Sequence, residues 1–340
     1  MAAIPHSTTT HVFKTIDGLE LTLDITSPKT APSSSSKTAL VHFHGGFLVI
    51  GEKTTFPPAW LINACLRRGW TYVTPSYRLV PESTGKAAVS DAIAACEWVQ
   101  SHVSKRLVVA GSSAGAYLGL TAAAILLSPP LAQLFIYGML DPVSHRYVIP
   151  GIPLMADHLL DTSKFLEIIK NASEKGPILD AYPFPADPTT DLRMGWIATL
   201  HQEALYPDYI TGKPGLSKLI RENGIEAIPE EDRCLFAAAP AETTENAFPP
   251  TAFIHGDADQ FISIDQSVDL ANKFKASGSK VTTVIVPGKA HGFDIIGVPS
   301  DVDIESTSTD GEEWFSSFRE VLGFLDAVIS NVASNSTQLL

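Results

Sequence analysis

The sequence predicts an α/β fold built on a mostly parallel, doubly wound sheet, and two observations support this class. Short apolar runs of strand length alternate with amphipathic stretches of helix length from residue 39 to residue 140, and again from residue 251 onward. Hydrophobic residues make up 45% of the 340 residues and charged residues 18%, which is typical of a chain that buries a large core.

The elements of the first part of the chain follow from their patterns. Residues 12–25 alternate apolar and polar side chains around Asp17-Gly18, which predicts a hairpin, and residues 33–36 form a polar loop that we expect to be mobile. Short apolar runs predict buried strands at residues 39–43, 71–75, 107–110 and 134–139. Helices are expected at residues 59–68, 87–102 and 118–127, the last of them buried because it is rich in alanine and too short to cross a membrane.

A change of pattern divides the chain. Between residues 141 and 249 strand signals disappear, and helical stretches at 161–172, 191–204 and 216–223 are separated by proline-rich turns. The alternation resumes with a strand at 251–255, a helix at 268–276, a strand at 281–286 and a final helix at 312–332. We therefore predict that residues 1–140 and 250–340 form one core domain, and that residues 141–249 form a helical cap inserted into it.

Charge and cysteine content limit the classes of partner and site. The formal net charge of -13 would repel nucleic acid and anionic membrane surfaces, so a neutral or apolar small molecule fits better. The widely spaced Cys65, Cys96 and Cys234 predict reduced core thiols rather than disulfides or a zinc site.

No signal-peptide pattern occurs at the amino terminus and no apolar run reaches the roughly 18 residues of a membrane span, so we expect a cytoplasmic protein.

A glycine-flanked serine carries the strongest chemical signal. Gly111-Ser112-Ser113-Ala114-Gly115 follows a predicted strand and precedes a predicted helix, which is the context that a G-x-S-x-G nucleophile elbow requires. The sharp turn would present the Ser113 hydroxyl at the end of the strand, and the N-terminus of the helix would face any anion formed beside it. Glycine-rich and serine-rich loops without a catalytic role also produce this pattern, but the flanking elements favour a nucleophile.

A second glycine-containing loop, His44-Gly45-Gly46-Phe47, follows the first buried strand. Its backbone N–H groups could approach a substrate oxygen, and with the N–H of Ala114 they would form an oxyanion hole. Gly46 is the first choice of donor, and Gly45 and Phe47 are the alternatives. A tight turn that needs glycine only for its backbone conformation would give the same pattern.

His42 and His44 are two residues apart, a spacing found in some metal sites and also on one face of any strand. Because no acidic or cysteine residue is adjacent, we predict no metal site. Acyl transfer at a serine needs no cofactor, and none is predicted.

The base and its acid are expected on later strands, in the chain order serine, acid, histidine. His255-Gly256-Asp257-Ala258-Asp259 ends one predicted strand, and His291 lies on the loop after the strand at 281–286. Both loops leave the carboxyl ends of strands, where parallel sheets place their active sites. Spacing alone leaves Asp257 and Asp259 open as the acid. His255 competes with His291 as the base, but because it belongs to a strand and precedes the acid, we expect it to be packed and hydrogen-bonded.

Together these motifs resemble the hormone-sensitive-lipase-like group of α/β-hydrolases, which includes many microbial and fungal esterases. The resemblance covers most of residues 39–330 and is also carried by residues 76–82, similar to the group's Y-R-L-A-P-E segment, by residues 137–142 and by His291-x-Phe293. In this group the acid is the aspartate three residues after the glycine, which implies Asp259. The resemblance thus implies an α/β-hydrolase fold with a triad of Ser113, His291 and Asp259.

The sequence departs from that group at two positions. Phe47 stands where a third glycine is usual, which implies a narrower oxyanion loop, and Ser112 stands where an acidic residue is usual, which implies a less negative elbow. Neither departure removes a catalytic atom. Arg78 and Glu82, in the segment similar to Y-R-L-A-P-E, are expected to pair with each other or with the backbone rather than to touch substrate.

The resemblance implies a serine hydrolase that cleaves carboxylic esters through an acyl-enzyme. A hydrophobic small-molecule substrate is expected because the insertion is rich in apolar and aromatic side chains, although each of these also suits the core of the cap. They are Tyr147, Met155, Trp196, Tyr206, Tyr209 and Phe236.

Three other functions stay open. One is a thioesterase that releases an acyl or polyketide chain from an acyl carrier protein, because similar fungal proteins often serve natural-product pathways. Another is a ligand receptor without catalysis, which the retained His291 disfavours. A lyase or cyclase could use the same site. The sequence does not indicate an oligomeric state.

Overall fold

The computed structural model describes residues 4–30, 37–154, 158–238, 248–306 and 314–337. Its strands are β1 (His6–Ile16), β2 (Leu19–Pro28), β3 (Thr38–Phe43), β4 (Thr71–Pro75), β5 (Arg106–Ser112), β6 (Ala132–Ile136), β7 (Thr251–Gly256) and β8 (Val281–Val286). They form one sheet in the order β1-β2-β4-β3-β5-β6-β7-β8. β2 pairs antiparallel with β1 and β4, and the other neighbours pair parallel, so the predicted mostly parallel sheet is confirmed.

Helices pack on both faces of the sheet. They are α1 (Ala59–Arg67), α2 (Gly85–His102), α3 (Ala114–Ile125), α4 (His145–Val148), α5 (Ser163–Lys175), α6 (Leu192–Gln202), α7 (Tyr206–Thr211), α8 (Leu216–Asn223), α9 (Asp265–Ala276) and α10 (Phe315–Thr337). Alternate strand residues point to opposite faces. Val41 and Val109 accordingly belong to the core under α2 and α3, whereas Leu40 and Val108 belong to the core under α1 and α10.

Most predicted elements occur within a few residues of their expected bounds. The strand expected at 134–139 ends at Ile136, since Tyr137 takes a φ of 38° and turns the chain out of the sheet. The buried helix expected at 118–127 is α3, which ends at Ile125 and leaves Leu127 96% exposed. The polar loop at 33–36 and the expected start of the last helix at residue 312 lie outside the described residues.

The strand registers align the loops that carry the predicted site. Phe43 at the end of β3 pairs with Gly111 in β5, and Gly256 at the end of β7 pairs with Val286 at the end of β8. β6 links the two pairs by parallel ladders to β5 and β7. The loops after β3, β5, β7 and β8 therefore open at one edge of the sheet, where residues far apart in sequence meet.

Residues 141–249 contribute α4 to α8 and the 3₁₀ turns Ile225–Ala227 and Glu230–Leu235. An isolated antiparallel bridge joins Tyr182 to Gly51.

Cys65 and Cys96 are buried as expected, but the prediction of a core thiol is wrong for Cys234, which is exposed on the second 3₁₀ turn. Across the described ranges, no helix is both long enough and apolar enough to cross a membrane.

Candidate active site

Ser113 lies in the sharp turn between β5 and α3, with φ 55° and ψ -124°. A positive φ costs a residue with a Cβ roughly 1–2 kcal/mol, so surrounding bonds must hold the turn. The Ser113 N–H donates to the carbonyl of Ile136 at 2.9 Å, and the Ser113 carbonyl accepts the N–H groups of Ala116 and Met139 at 3.0 and 2.9 Å. The backbone thus has the geometry of a nucleophile elbow.

The structure brings Ser113, His291 and Asp259 into one hydrogen-bonded row. His291 Nε2 lies 3.1 Å from Ser113 Oγ, and His291 Nδ1 lies 2.7 Å from Asp259 Oδ2. Asp259 Oδ1 accepts the backbone N–H groups of Phe261 and Ile262, both at 2.9 Å. These bonds fit a ring that donates its Nδ1–H to the carboxylate and keeps Nε2 free to accept the serine proton.

Asp257, the alternative acid, makes a different contact. Its exposed carboxylate accepts the N–H of Gly288 at 2.6 Å and so ties the loop after β7 to the loop after β8. Asp257 therefore stands at the base of the loop that carries His291, whereas Asp259 bonds the ring itself.

His255 is buried as expected, and it also binds Asp259. Its Nδ1 lies 2.8 Å from the Ser267 hydroxyl oxygen, and its Nε2 lies 3.2 Å from Asp259 Oδ2 and 3.1 Å from the carbonyl oxygen of Ile262. Burial favours the neutral form of Asp259, but hydrogen bonds from His255 and His291 outweigh it and hold the pKa of this carboxyl below its usual range. Asp259 is therefore a carboxylate at neutral pH.

Residues 44–51, which we call the oxyanion loop, run beside the serine. A Cβ built on Gly45 would lie 2.9 Å from Ser113 Cβ. Gly46 has a φ of 116°, and a Cβ there would meet the carbonyl oxygen of Ile50 at 2.0 Å. Both positions require glycine because of these close approaches. Gly45 thus lies against Ser113, Gly46 lines the same cavity as Ser113, and Ala114 is the first residue of α3.

Phe47 keeps a glycine-like backbone at the position where a third glycine is usual. Its φ is 55° and that of Leu48 is 65°, both in the left-handed region. The Phe47 ring is buried and packs edge-on against His201 at a centroid distance of 4.7 Å, and the Tyr206 hydroxyl lies 3.4 Å from the Phe47 carbonyl. The larger side chain is therefore a packing contact with the insertion.

His42 and His44 are buried beneath the site. The Tyr72 hydroxyl lies 3.0 Å from His42 Nδ1, and His42 Nε2 lies 2.9 Å from Ser112 Oγ. The His44 ring stacks on Tyr77 at 4.3 Å. Burial lowers the pKa of His42 to about 3 and that of His44 to about 4, so both rings are neutral.

Sequence reasoning missed Tyr137 and Asp294, which lie behind the histidine. The Tyr137 hydroxyl donates to Asp294 Oδ1, and Trp60 Nε1 donates to Asp294 Oδ2 at 2.9 Å. The Tyr137 ring lies 4.5 Å from the ring of His291, and Asp294 is fully buried, which raises its pKa. Tyr137 begins the segment 137–142 and Asp294 directly follows His291-x-Phe293, both quoted above for the resemblance, but nothing in the sequence joins the two residues.

A cavity of about 270 Å³ opens beside Ser113. Among the described residues that line it, none is Asp, Glu, Lys or Arg. Its apolar walls come both from the insertion and from core loops, and the residues are Phe47, Ile50, Phe56, Phe184, Met194, Ile197, Phe261, Ile295 and Ile296. Such walls suit an uncharged, hydrophobic group.

The aromatic residues named in the insertion take the core role that the sequence left open for them. The aromatic residues Tyr147, Trp196, Tyr206 and Phe236 are buried in the hydrophobic core, Tyr209 packs against that core, and Met155 lies outside the described residues. The pocket instead takes Phe184, Met194 and Ile197 from the insertion, because these side chains face the elbow.

The expected pairing of Arg78 with Glu82 is wrong, but the alternative expectation of a backbone contact is confirmed for Arg78, whose Nη2 donates to the Ala87 carbonyl at 3.1 Å. Arg78 Nε donates to Asp91 on α2 at 2.7 Å, while Glu82 pairs with Arg193 on α6. Asp91 is fully buried and Glu82 nearly so. Tertiary packing, and not closeness in sequence, therefore decides which arginine pairs with Asp91 and which pairs with Glu82.

Comparison with known proteins places the chain in a family. Residues 40–208 match a family model described as an alpha/beta hydrolase fold. The chain belongs to the α/β-hydrolases. This α/β-hydrolase superposes on a bacterial heroin esterase with a TM-score of 0.59 and 18% identity, covering 95% of this chain and 86% of the other. It superposes on esterase 2 of Thermogutta terrifontis with a TM-score of 0.54 and 17% identity, covering 96% and 94%.

The family match confirms the predicted resemblance to the α/β-hydrolases, and the superpositions on two esterases show that the fold is shared. Curated relatives include the non-reducing polyketide synthase ascC of Acremonium egyptiacum, 26% identical over 314 residues that cover 84% of this α/β-hydrolase and 14% of the relative. The 5-methylorsellinic acid synthase of Aspergillus terreus is 26% identical over 84% of this chain and 12% of its own length. The chain thus spans a small fraction of the length of these relatives.

Proposed function

We propose that this α/β-hydrolase is a serine esterase that cleaves carboxylic esters of a hydrophobic small molecule. The observation that carries the proposal is the row from Ser113 Oγ through His291 to Asp259, which opens into an apolar cavity. A nucleophile, a base and an orienting acid at hydrogen-bond distance are what acyl transfer requires.

In the proposed mechanism, Ser113 Oγ bonds to the ester carbonyl carbon while His291 Nε2 takes the hydroxyl proton. The carbonyl oxygen becomes an oxyanion, which the backbone N–H groups of Gly46 and Ala114, with Gly45, would stabilise. His291 then gives its proton to the leaving alkoxide, and an acyl-enzyme remains. Water repeats the cycle and releases the acid, while Asp259 stays ionised and stabilises the imidazolium.

We propose that residues 141–249 act as a cap over a core of residues 1–140 and 250–340. Phe184, Met194 and Ile197 of this segment stand opposite Phe261 and Ile295 of core loops around the cavity. A substrate acyl group would be held between them, so the segment would set chain-length preference without supplying a reacting atom.

The test is Ser113→Ala, measured by turnover of 4-nitrophenyl esters and by labelling with a fluorophosphonate probe. We expect turnover to fall by at least about 10⁴-fold and labelling to disappear, because the nucleophile is gone. Circular dichroism and the thermal midpoint should match the wild type. A wild-type protein that neither labels nor turns over any ester would indicate a ligand-binding protein and would end the proposal.

A second candidate is thioester cleavage that releases an acyl or polyketide chain from a carrier protein. The observation that favours it is the similarity to non-reducing polyketide synthases over most of this chain. The same row of residues would act, with a thiolate as the leaving group. Turnover of acyl thioesters, free and carrier-bound, should be compared with that of oxygen esters of the same acid, and a marked preference for thioesters would select this function.

A further inference from the structure

Arg193 on α6 is a buried cation that lies outside the row of reacting groups. It is 3% exposed, and its guanidinium donates to the carbonyl of Val49 at 2.6 Å and pairs with Glu82. The guanidinium carbon lies 4.8 Å from the ring centroid of Tyr182 and 4.9 Å from that of Trp196. Burial of a guanidinium costs desolvation free energy unless its charge is paired and its N–H groups are hydrogen-bonded. The loss of any of these contacts would therefore be unfavourable.

The carbonyl that Arg193 binds belongs to the oxyanion loop. Gly46, Phe47 and Leu48 all have a positive φ, and at the two residues with a Cβ this conformation persists only where surrounding contacts enforce it. The core supplies one such contact, since the Val80 N–H donates to the Leu48 carbonyl at 2.8 Å. The bond from Arg193 to Val49 is charge-assisted and therefore stronger than a neutral one.

Two further contacts to the same loop come from residues 141–249. Tyr182 exchanges backbone hydrogen bonds of 2.7 and 2.9 Å with Gly51, at the end of the loop. His201 and Tyr206 hold Phe47 by its ring and its carbonyl. Residues 141–249 thus contact the loop at Phe47, Val49 and Gly51, and the Arg193 bond to Val49 lies between the other two contacts.

We propose that Arg193 is a positioning residue for ester hydrolysis, which acts through Val49 to hold the oxyanion loop in its strained form. In that form the N–H groups of Gly45 and Gly46 would face the developing oxyanion. Glu82 is the counter-charge that allows the guanidinium to stay buried. This inference rests on the proposed esterase function, and it assigns part of the catalytic power to the insertion.

The experiment compares Arg193→Met with the wild type in ester hydrolysis and in affinity for a trifluoromethyl ketone. Ser113 Oγ adds to the ketone carbon, its proton moves to His291 and the ketone oxygen becomes an oxyanion, with no leaving group. We expect kcat to fall roughly 10- to 100-fold with KM little changed, and ketone affinity to fall by a similar factor. A residue that supported only folding would lower the thermal midpoint without this split.

Arg221→Met is the matched control. Like Arg193, Arg221 donates to a backbone carbonyl, but this carbonyl is that of Val148 at 3.0 Å, which lies in the insertion and not in the oxyanion loop. It should leave kcat and ketone affinity unchanged. Arg193→Lys keeps the charge opposite Glu82 and carries the test if Arg193→Met does not fold. A lysine lacks the guanidinium fork, so kcat and ketone affinity should fall by about 3- to 10-fold.

Two outcomes are distinguishable. An active wild type together with a folded Arg193 variant of unaltered kcat and ketone affinity would overturn the role of Arg193. A wild type without ester turnover or labelling would overturn the esterase function instead.

Discussion

The edge of the sheet and the insertion contribute to the site in different ways. At the sheet edge, Ser113, Asp259 and His291 sit one to a few residues beyond strands whose registers bring them together. The insertion supplies apolar walls and Arg193, whose guanidinium donates a hydrogen bond to the Val49 carbonyl of the oxyanion loop. The comparison teaches that the three side chains of the hydrogen-bonded row are placed by backbone ladders, whereas the space around them depends on side-chain packing between distant helices.

The largest test of this comparison lies at the sheet edge. Asp259→Asn should lower kcat by roughly 10²- to 10⁴-fold, because an amide cannot hold the imidazolium or the required tautomer. Asp257→Asn, the matched control two residues earlier, should cost no more than about fivefold, since it weakens one exposed hydrogen bond to Gly288. Steady-state kinetics on one ester would decide, and the reverse order would assign the acid to Asp257.

A smaller effect is expected behind the histidine. Tyr137→Phe keeps the ring against His291 but removes the hydroxyl bond to the buried Asp294. We expect the free energy of unfolding to fall by about 1–3 kcal/mol and kcat to fall by a few-fold, as the loop that carries His291 loosens. Urea unfolding and kcat measure the two effects.

Tyr72→Phe is the control for that change, because Tyr72 is also buried and bonds His42 rather than the loop of Asp294. It should lower stability with little change in kcat. Equal losses of kcat in the two variants would contradict a specific link from Tyr137 to His291.

The smallest change in free energy is expected at the pocket wall. Phe184→Ala should reduce the preference for long over short acyl chains by about 3- to 10-fold, since it removes roughly 1 kcal/mol of apolar contact. Leu192→Ala, at a residue of similar exposure on the same segment, should leave the preference unchanged. The ratio of kcat/KM for 4-nitrophenyl decanoate and acetate measures this, and an unchanged ratio in Phe184→Ala would remove that side chain from the acyl site.

The sheet edge could be predicted from the sequence, and physical reasons explain why. Apolar periodicity locates β5, β7 and β8, and in a parallel sheet the loops after such strands share an edge. Ser113 is marked by its flanking glycines, and His291 by its place after β8. Asp259 needed the family resemblance, because Asp257 has the same local chemistry.

The contacts made by side chains between distant segments could not be predicted. Arg78 and Glu82 are close in sequence but do not pair with each other. Glu82 pairs with Arg193 on α6, and Arg78 pairs with Asp91 on α2. Tyr137 and Asp294 are 157 residues apart, so no local pattern joins them. The residues that line the pocket could not be singled out for the same reason, since a large apolar side chain in a helix suits a core as well as a cavity.

The distribution of thiols gives this molecule a built-in reporter position. Burial raises the pKa of Cys65 and of Cys96 to about 12, whereas Cys234 is exposed on the insertion. Thiolates, not thiols, react with maleimide dyes, so mild alkylation of the native protein should attach one fluorophore, at residue 234. Motion of the insertion during turnover could then be followed by fluorescence in the unmutated enzyme.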